Sequence, residues 1–183
     1  MSIFKKRTLV NKIGQDWAHV AATYGAHFAK LLQESNLVAF FDVEKYILMI
    51  STFCIIFCNN ALLLITLNSD SPIPKNMRVE ISNSAYDTLI TLATSTNVNT
   101  AFRRSREDIM SIIGEFEEFV FKQIDNFQDD EDYFNAISNF IINNCNLVFP
   151  EANRDILISS TAHNLIQIAG DIQDYVNTQK IRL

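Results

Sequence analysis

Apolar residues recur along this chain at spacings of three and four, which is the signature of helices with one buried face. The first such segment is predicted over about Thr8 to Glu34. Val10, Ile13, Trp17, Val20, Tyr24, Phe28 and Leu31 make its apolar face. Beside that face Ala18, Ala22, Gly25 and Ala29 form a smooth stripe that lets another helix approach closely. After a link around Ser35–Phe41, Asp42 is a plausible N-cap for a second helix ending near Asn68. Further helices are expected at about Arg78–Thr94, Thr100–Phe127, Asp130–Asn146 and Glu151–Thr178. Their inward residues include Ile81, Ala85, Leu89 and Leu92, then Ile109, Ile113, Phe116, Val120, Ile124 and Phe127. Phe134, Ile137, Ile141 and Cys145 follow, then Leu157, Ile158, Leu165, Ile168, Ala169, Ile172 and Val176.

The second helix decides the class. From Tyr46 to Ser69 it carries no Asp, Glu, Lys or Arg. A membrane span needs ~20 apolar residues, so this stretch just qualifies. Its polar residues favour the centre of a bundle instead. Lys45, Thr52, Asn59 and Thr66 fall seven apart, with Glu44 and Ser51 beside them. The pattern predicts a narrow polar strip touching water on an otherwise wrapped cylinder. The Asn59–Asn60 pair at mid-depth is costly in lipid. The expected fold is therefore all-α: an irregular bundle of about six helices around a central apolar helix at about 42–67, forming one domain over residues 1–183.

Composition supports this reading. The chain is 48% hydrophobic, with fourteen Phe but only four Gly and three Pro, so breakers are few and ring-filled helix contacts are expected. The clearest loop is Asn68–Lys75, which contains Pro72 and Pro74. Three cysteines, two of them one turn apart in the central helix, do not make a disulfide framework. The basic start (Lys5, Lys6, Arg7, Lys12) is not followed by the apolar stretch and cleavage site of a leader, so the expected compartment is the cytoplasm.

Charge is the strongest signal outside the core. The chain carries a net charge of −6, yet residues 107–132 alone hold ten acids and a single base, Lys122. Asp108 and Glu115 are seven apart, as are Glu118 and Asp125, opposite Ile109 and Phe116. The run Asp129, Asp130, Glu131 and Asp132 follows at the turn into the next helix. These acids are expected to form a negative ridge that steers a basic partner into place, with Phe121 at its edge as the apolar anchor. The competing reading is an ordinary solvated helix face with capping acids.

Other constellations carry less. The acidic run lacks the central glycine of a calcium loop. Asp16 and His19 have ligand spacing, but they form a lone pair on the polar side of the first helix. Ser160 and His163 lie one turn apart on a face continued by Gln167, Asp171 and Asp174, without an orienting group or oxyanion site. His27 sits at the fringe of the first helix's apolar face, and Cys54 and Cys58 read as core residues. A pI near 5.0 argues against nucleic acid, despite Arg103, Arg104 and Arg106. No catalytic group, metal or cofactor is implied. The leading expectation is a non-enzymatic protein-binding module: an inhibitor, immunity-type or adaptor protein that docks a basic partner. The alternatives are a helical ligand-binding protein or enzyme with an interhelical pocket lined by Asn59, Asn60 and His27, and a membrane protein with residues 46–67 inserted.

Overall fold

The computed structural model describes residues 3–68, 73–95, 103–124 and 129–178, with side chains from residue 9 and up to residue 123 of the third stretch. Six α-helices follow in order: α1 (Ile3–Glu34), α2 (Val43–Leu67), α3 (Lys75–Thr94), α4 (Arg106–Ile124), α5 (Asp130–Asn144) and α6 (Arg154–Thr178). A 3-10 turn at Glu151–Asn153 leads into α6. Strands are absent among the described residues, as the all-α expectation requires.

The helix starts follow from short polar side chains that satisfy free backbone amides. Asp42 caps α2 by accepting from the Lys45 amide at 3.0 Å. The Ser105 hydroxyl accepts from the Asp108 amide at 3.1 Å ahead of α4. Asp129 accepts from the Glu131 amide at 2.8 Å ahead of α5. Several boundaries differ from expectation, including the end of α5 at Asn144 and the start of α6 at Arg154. α1 begins at Ile3, five residues early. α3 begins at Lys75, directly after Pro74, whose fixed φ suits a helix entrance. α4 begins at Arg106 because Arg103–Ser105 is held off the helix: the Arg103 amide donates to Glu44 at 3.0 Å, and the Arg104 guanidinium pairs with Asp42 and lies 3.4 Å from Glu44 Oε2. Residues 125–128, including the expected end of this helix, lie outside the described residues.

Helix α2 is the hub. It packs against all five other helices. Tyr46, Leu48, Met49, Ile50, Phe53, Cys54, Ile55 and Leu62 are buried along it. Each large side chain withdrawn from water in this way is worth ~1.5–3 kcal/mol. The Phe-rich composition appears as ring contacts: Phe53 tilted on Phe57 at 4.4 Å, and Phe119 stacked on Phe140 at 4.0 Å. The expected polar strip, however, does not touch water throughout. Ser51, Thr52 and Thr66 are buried. Their hydroxyls are satisfied internally: Thr52 donates to Leu48 O at 2.8 Å, Thr66 to Leu62 O at 2.7 Å, and Ser51 across to Ala21 O at 3.1 Å. A hydroxyl with a carbonyl one turn back can go inside, so spacing alone misassigned the strip.

The buried centre of α1 is also displaced from the predicted face. Leu31 is exposed and Leu32 buried, while Ala18, Gly25 and Ala29 of the small-residue stripe turn inward, Ala22 is half-buried and Ala21 is buried in its stead. Close approach is the reason. A Cβ on Gly25 would meet Ser51 Oγ at 2.6 Å and Ile47 O at 2.7 Å on α2. One on Gly14 would meet Ile81 O at 2.6 Å on α3. Far from these contacts, the α1–α2 and α5–α6 connections pair through one antiparallel bridge, Phe40 with Val148. Ala39 N donates to Val148 O at 2.7 Å, Val148 N to Phe40 O at 2.8 Å and Asp42 N to Cys145 O at 2.7 Å.

Candidate functional site

Helix α4 turns Ile109, Ile113, Phe116 and Val120 inward, and this register puts Asp108, Glu115 and Glu118 outward. All three are exposed, as are Asp129, Asp130, Glu131 and Asp132 in the cap and first turn of α5. Asp125 lies outside the described residues. α4 and α5 pack against each other, which brings the two acidic groups to neighbouring helices. Phe121 is exposed at 45% of its surface, on the outer side of α4. The sequence reading missed Met110, which is 52% exposed on the same helix. Its place one residue beyond Ile109 was the available signal.

The acids are not equivalent. Glu118 accepts from Lys122 at 2.7 Å, and this hydrogen-bonded ammonium lowers the carboxyl pKa. Glu115 accepts from the Ser111 hydroxyl at 2.8 Å. Glu117 is turned aside: half-buried, it accepts from the Tyr86 hydroxyl at 3.0 Å and so ties α4 to α3. Burial first, then Glu117, raises the Tyr86 pKa. None of Asp129–Asp132 forms an ion pair with a described residue. Asp108 and Glu115 likewise form no ion pair with a described residue, so among the described residues Glu118 is the one ridge acid paired with a base.

The other candidates separate. Asp16 is half-buried and His19 exposed, and among the described residues no group of three or more His, Cys, Asp or Glu is placed to hold a metal. Ser160 and His163 are both exposed, with no hydrogen bond between them. Asp171, on the same face, accepts from the Tyr24 hydroxyl at 3.1 Å, tying α6 to α1. His27 is exposed, its ring edge-on to Phe28 at 5.3 Å. The three cysteines are buried, and desolvation raises each thiol, Cys58 and Cys145 to about 12.

Two grooves among the described residues bear on the candidate readings. A polar one of about 540 Å³ runs between α1 and α3, lined by Asn11, Gln15, Glu80, Ser84 and Asp87 among others. A second, of about 290 Å³, is walled by α2, α5 and α6 and contains Phe57, Leu64, Tyr133 and Ile166. Asn60 lines this second groove, whereas Asn59 and His27 do not. No protein-family model matches the chain, and no curated protein or solved structure matches it either.

Proposed function

We propose that this chain is a non-enzymatic protein-binding module, of the inhibitor, immunity or adaptor kind, which docks a basic surface of its partner in the cytoplasm. One observation carries the reading. All seven described acids assigned to the ridge are exposed, on two packed helices, with Lys122 the only base in residues 107–132. Such a field accelerates encounter and orients a cationic partner. Phe121 and Met110 supply apolar surface beside the charge. The enclosure of α2, with 67% of its most apolar window buried, supports its role as a core helix rather than an inserted span.

The test is electrostatic. A partner recovered from lysate is purified, and its affinity is measured at low and high ionic strength. The same is done with Glu115→Lys/Glu118→Lys and with Asp130→Lys/Glu131→Lys. Each double reversal is expected to weaken binding about ten-fold or more, and salt to do the same. Binding indifferent to salt and to both reversals refutes the mechanism. The rival reading, a ligand-binding bundle, draws on the α2–α5–α6 groove. At about 290 Å³ that groove sits at the bottom of the ~300–1,000 Å³ range of organic-ligand sites.

A further inference from the structure

The α2–α5–α6 groove has a regular construction. α2 contributes Phe57, Asn60, Ala61 and Leu64, and α6 contributes Ile166, Ala169, Gly170 and Gln173. Both sets follow the spacing i, i+3, i+4, i+7, so two helices each present one straight stripe about 10 Å long at 1.5 Å per residue. Between the stripes the small side chains of Ala61, Ala169 and Gly170 leave room. A Cβ on Gly170 would meet nothing within 4 Å. The rims are apolar and open to solvent: Leu64 is 51% exposed and Ile166 44%. The base is aromatic and rigid, with Phe57 6.0 Å from Phe134, and Tyr133 edge-on to Phe134 at 5.3 Å.

The third wall gives the groove a charged end. Asp130 and Tyr133 of α5 line it directly, and Asp129, Glu131 and Asp132 lie exposed beside Asp130 in the cap and first turn of that helix, with no ion pair to a described residue. Two largely apolar stripes with helical spacing, beside Asp130 and the acidic start of α5, complement one kind of occupant. We infer that the groove between α2, α5 and α6 seats a basic amphipathic helix of a partner protein. The helix lays its apolar face between Leu64 and Ile166 and sets Lys or Arg against Asp130 and its neighbours. Asn60, whose side chain has no hydrogen-bond partner among the described residues, offers the incoming helix a polar contact. This inference rests on the protein-binding reading and moves the anchor from Phe121 to the groove.

The probe is a synthetic Leu/Lys amphipathic helical peptide, titrated against the ¹⁵N-labelled protein. A second peptide of equal charge, with every Leu replaced by Ser, is titrated in parallel. Only the amphipathic peptide is expected to bind, and its shift changes are expected at Phe57, Leu64, Tyr133, Ile166 and Gly170. Gly170→Leu fills the groove from an unobstructed helical position, with retained circular dichroism confirming the fold. It is expected to cost about ten-fold or more in affinity, the scale of losing one anchor. Ile166→Lys, on the open rim, is expected to weaken the same peptide by repulsion.

Equal binding of both peptides, with loss on Glu115→Lys/Glu118→Lys, overturns the groove while leaving the acidic-flank reading standing. Failure of the amphipathic peptide to bind overturns the groove alone, since the salt and charge-reversal tests use the natural partner. Shift changes confined to α4, or a self-dimer abolished by Gly170→Leu, overturn it as well.

Discussion

Replacing Gly25 with alanine sets two opposing effects against each other, and the geometry decides the sign. In a helix interior Gly→Ala is favourable by ~1 kcal/mol, because alanine loses less backbone freedom on folding. At Gly25 the new methyl would lie 2.6 Å from Ser51 Oγ, 2.7 Å from Ile47 O and 3.0 Å from Ile47 Cγ2. One of these is backbone of the central helix and cannot rotate away. Relieving the overlap requires α1 and α2 to separate, a disturbance that costs ~1–3 kcal/mol in a packed core. Ser51 Oγ also donates to Ala21 O at 3.1 Å, and displacing it forfeits ~1 kcal/mol more. The net expectation is a loss of ~1–3 kcal/mol, equivalent to a fall in Tm of about 2–12 °C at ~2–4 °C per kcal/mol for a chain of this size. The assay is thermal and urea unfolding of Gly25→Ala beside Gly114→Ala. Gly114 lies on the outer face of α4, where a Cβ meets nothing within 4 Å, so that variant is expected to gain ~0.5–1 kcal/mol. A Gly25→Ala protein as stable as the parent, or one that moves with Gly114→Ala, would refute the close approach of α1 and α2.

All five tyrosines are held above their ordinary pKa, each chiefly by burial, with Tyr24 and Tyr133 raised to about 12. Raised values mean that the unfolded chain ionises first, so this stability is complete below pH 10 and drains away as pH climbs from 10 towards 12 and beyond. Tyrosinate absorbance is therefore expected to rise together with loss of helical circular dichroism, and an ordinary titration at pH 10 in a folded protein would contradict the burial. Cys54, Cys58 and Cys145 are expected to resist a thiol reagent in the native state and to react together in denaturant; rapid native labelling of Cys58 or Cys145 would contradict thiols raised to about 12. Arg104→Gln releases the partners Asp42 and Glu44 and is expected to cost ~1–2 kcal/mol, read by urea unfolding. No change there would mean that the Arg103–Ser105 segment is not anchored through this guanidinium.

Much of the architecture was legible because helix physics is local. Asp42, Asn68, Pro74 and Pro150 punctuate the chain where a cap or a fixed φ requires it, and α2 announces itself by its uncharged length. Phe134, Ile137, Ile141 and Cys145 were readable because most polar neighbours in α5 report which side is wet, while the buried Ser138 and Ile142 were not. α2 offered no such guide. Its one polar strip pointed to the wrong side: Leu64 and Leu67 are open while Thr52 and Thr66 are shut in. That depends on which helix lies beside each position. The outward placement of Asp108, Glu115 and Glu118 followed from the register of Ile109 and Phe116. The α2–α5–α6 groove did not, because its walls come from three distant segments and its depth comes from Ala169 and Gly170 being small, a property with no periodic signature.

The pairing of Phe40 with Val148 draws together two connections from opposite halves of the chain, and this has a consequence for how the molecule opens. Neither connection retains its partner once the two segments separate, so exchange at the amide protons of Ala39, Asp42 and Val148 reads that separation. In deuterium exchange these three sites act as a latch that reports, without any ligand, whether the two connections are still joined.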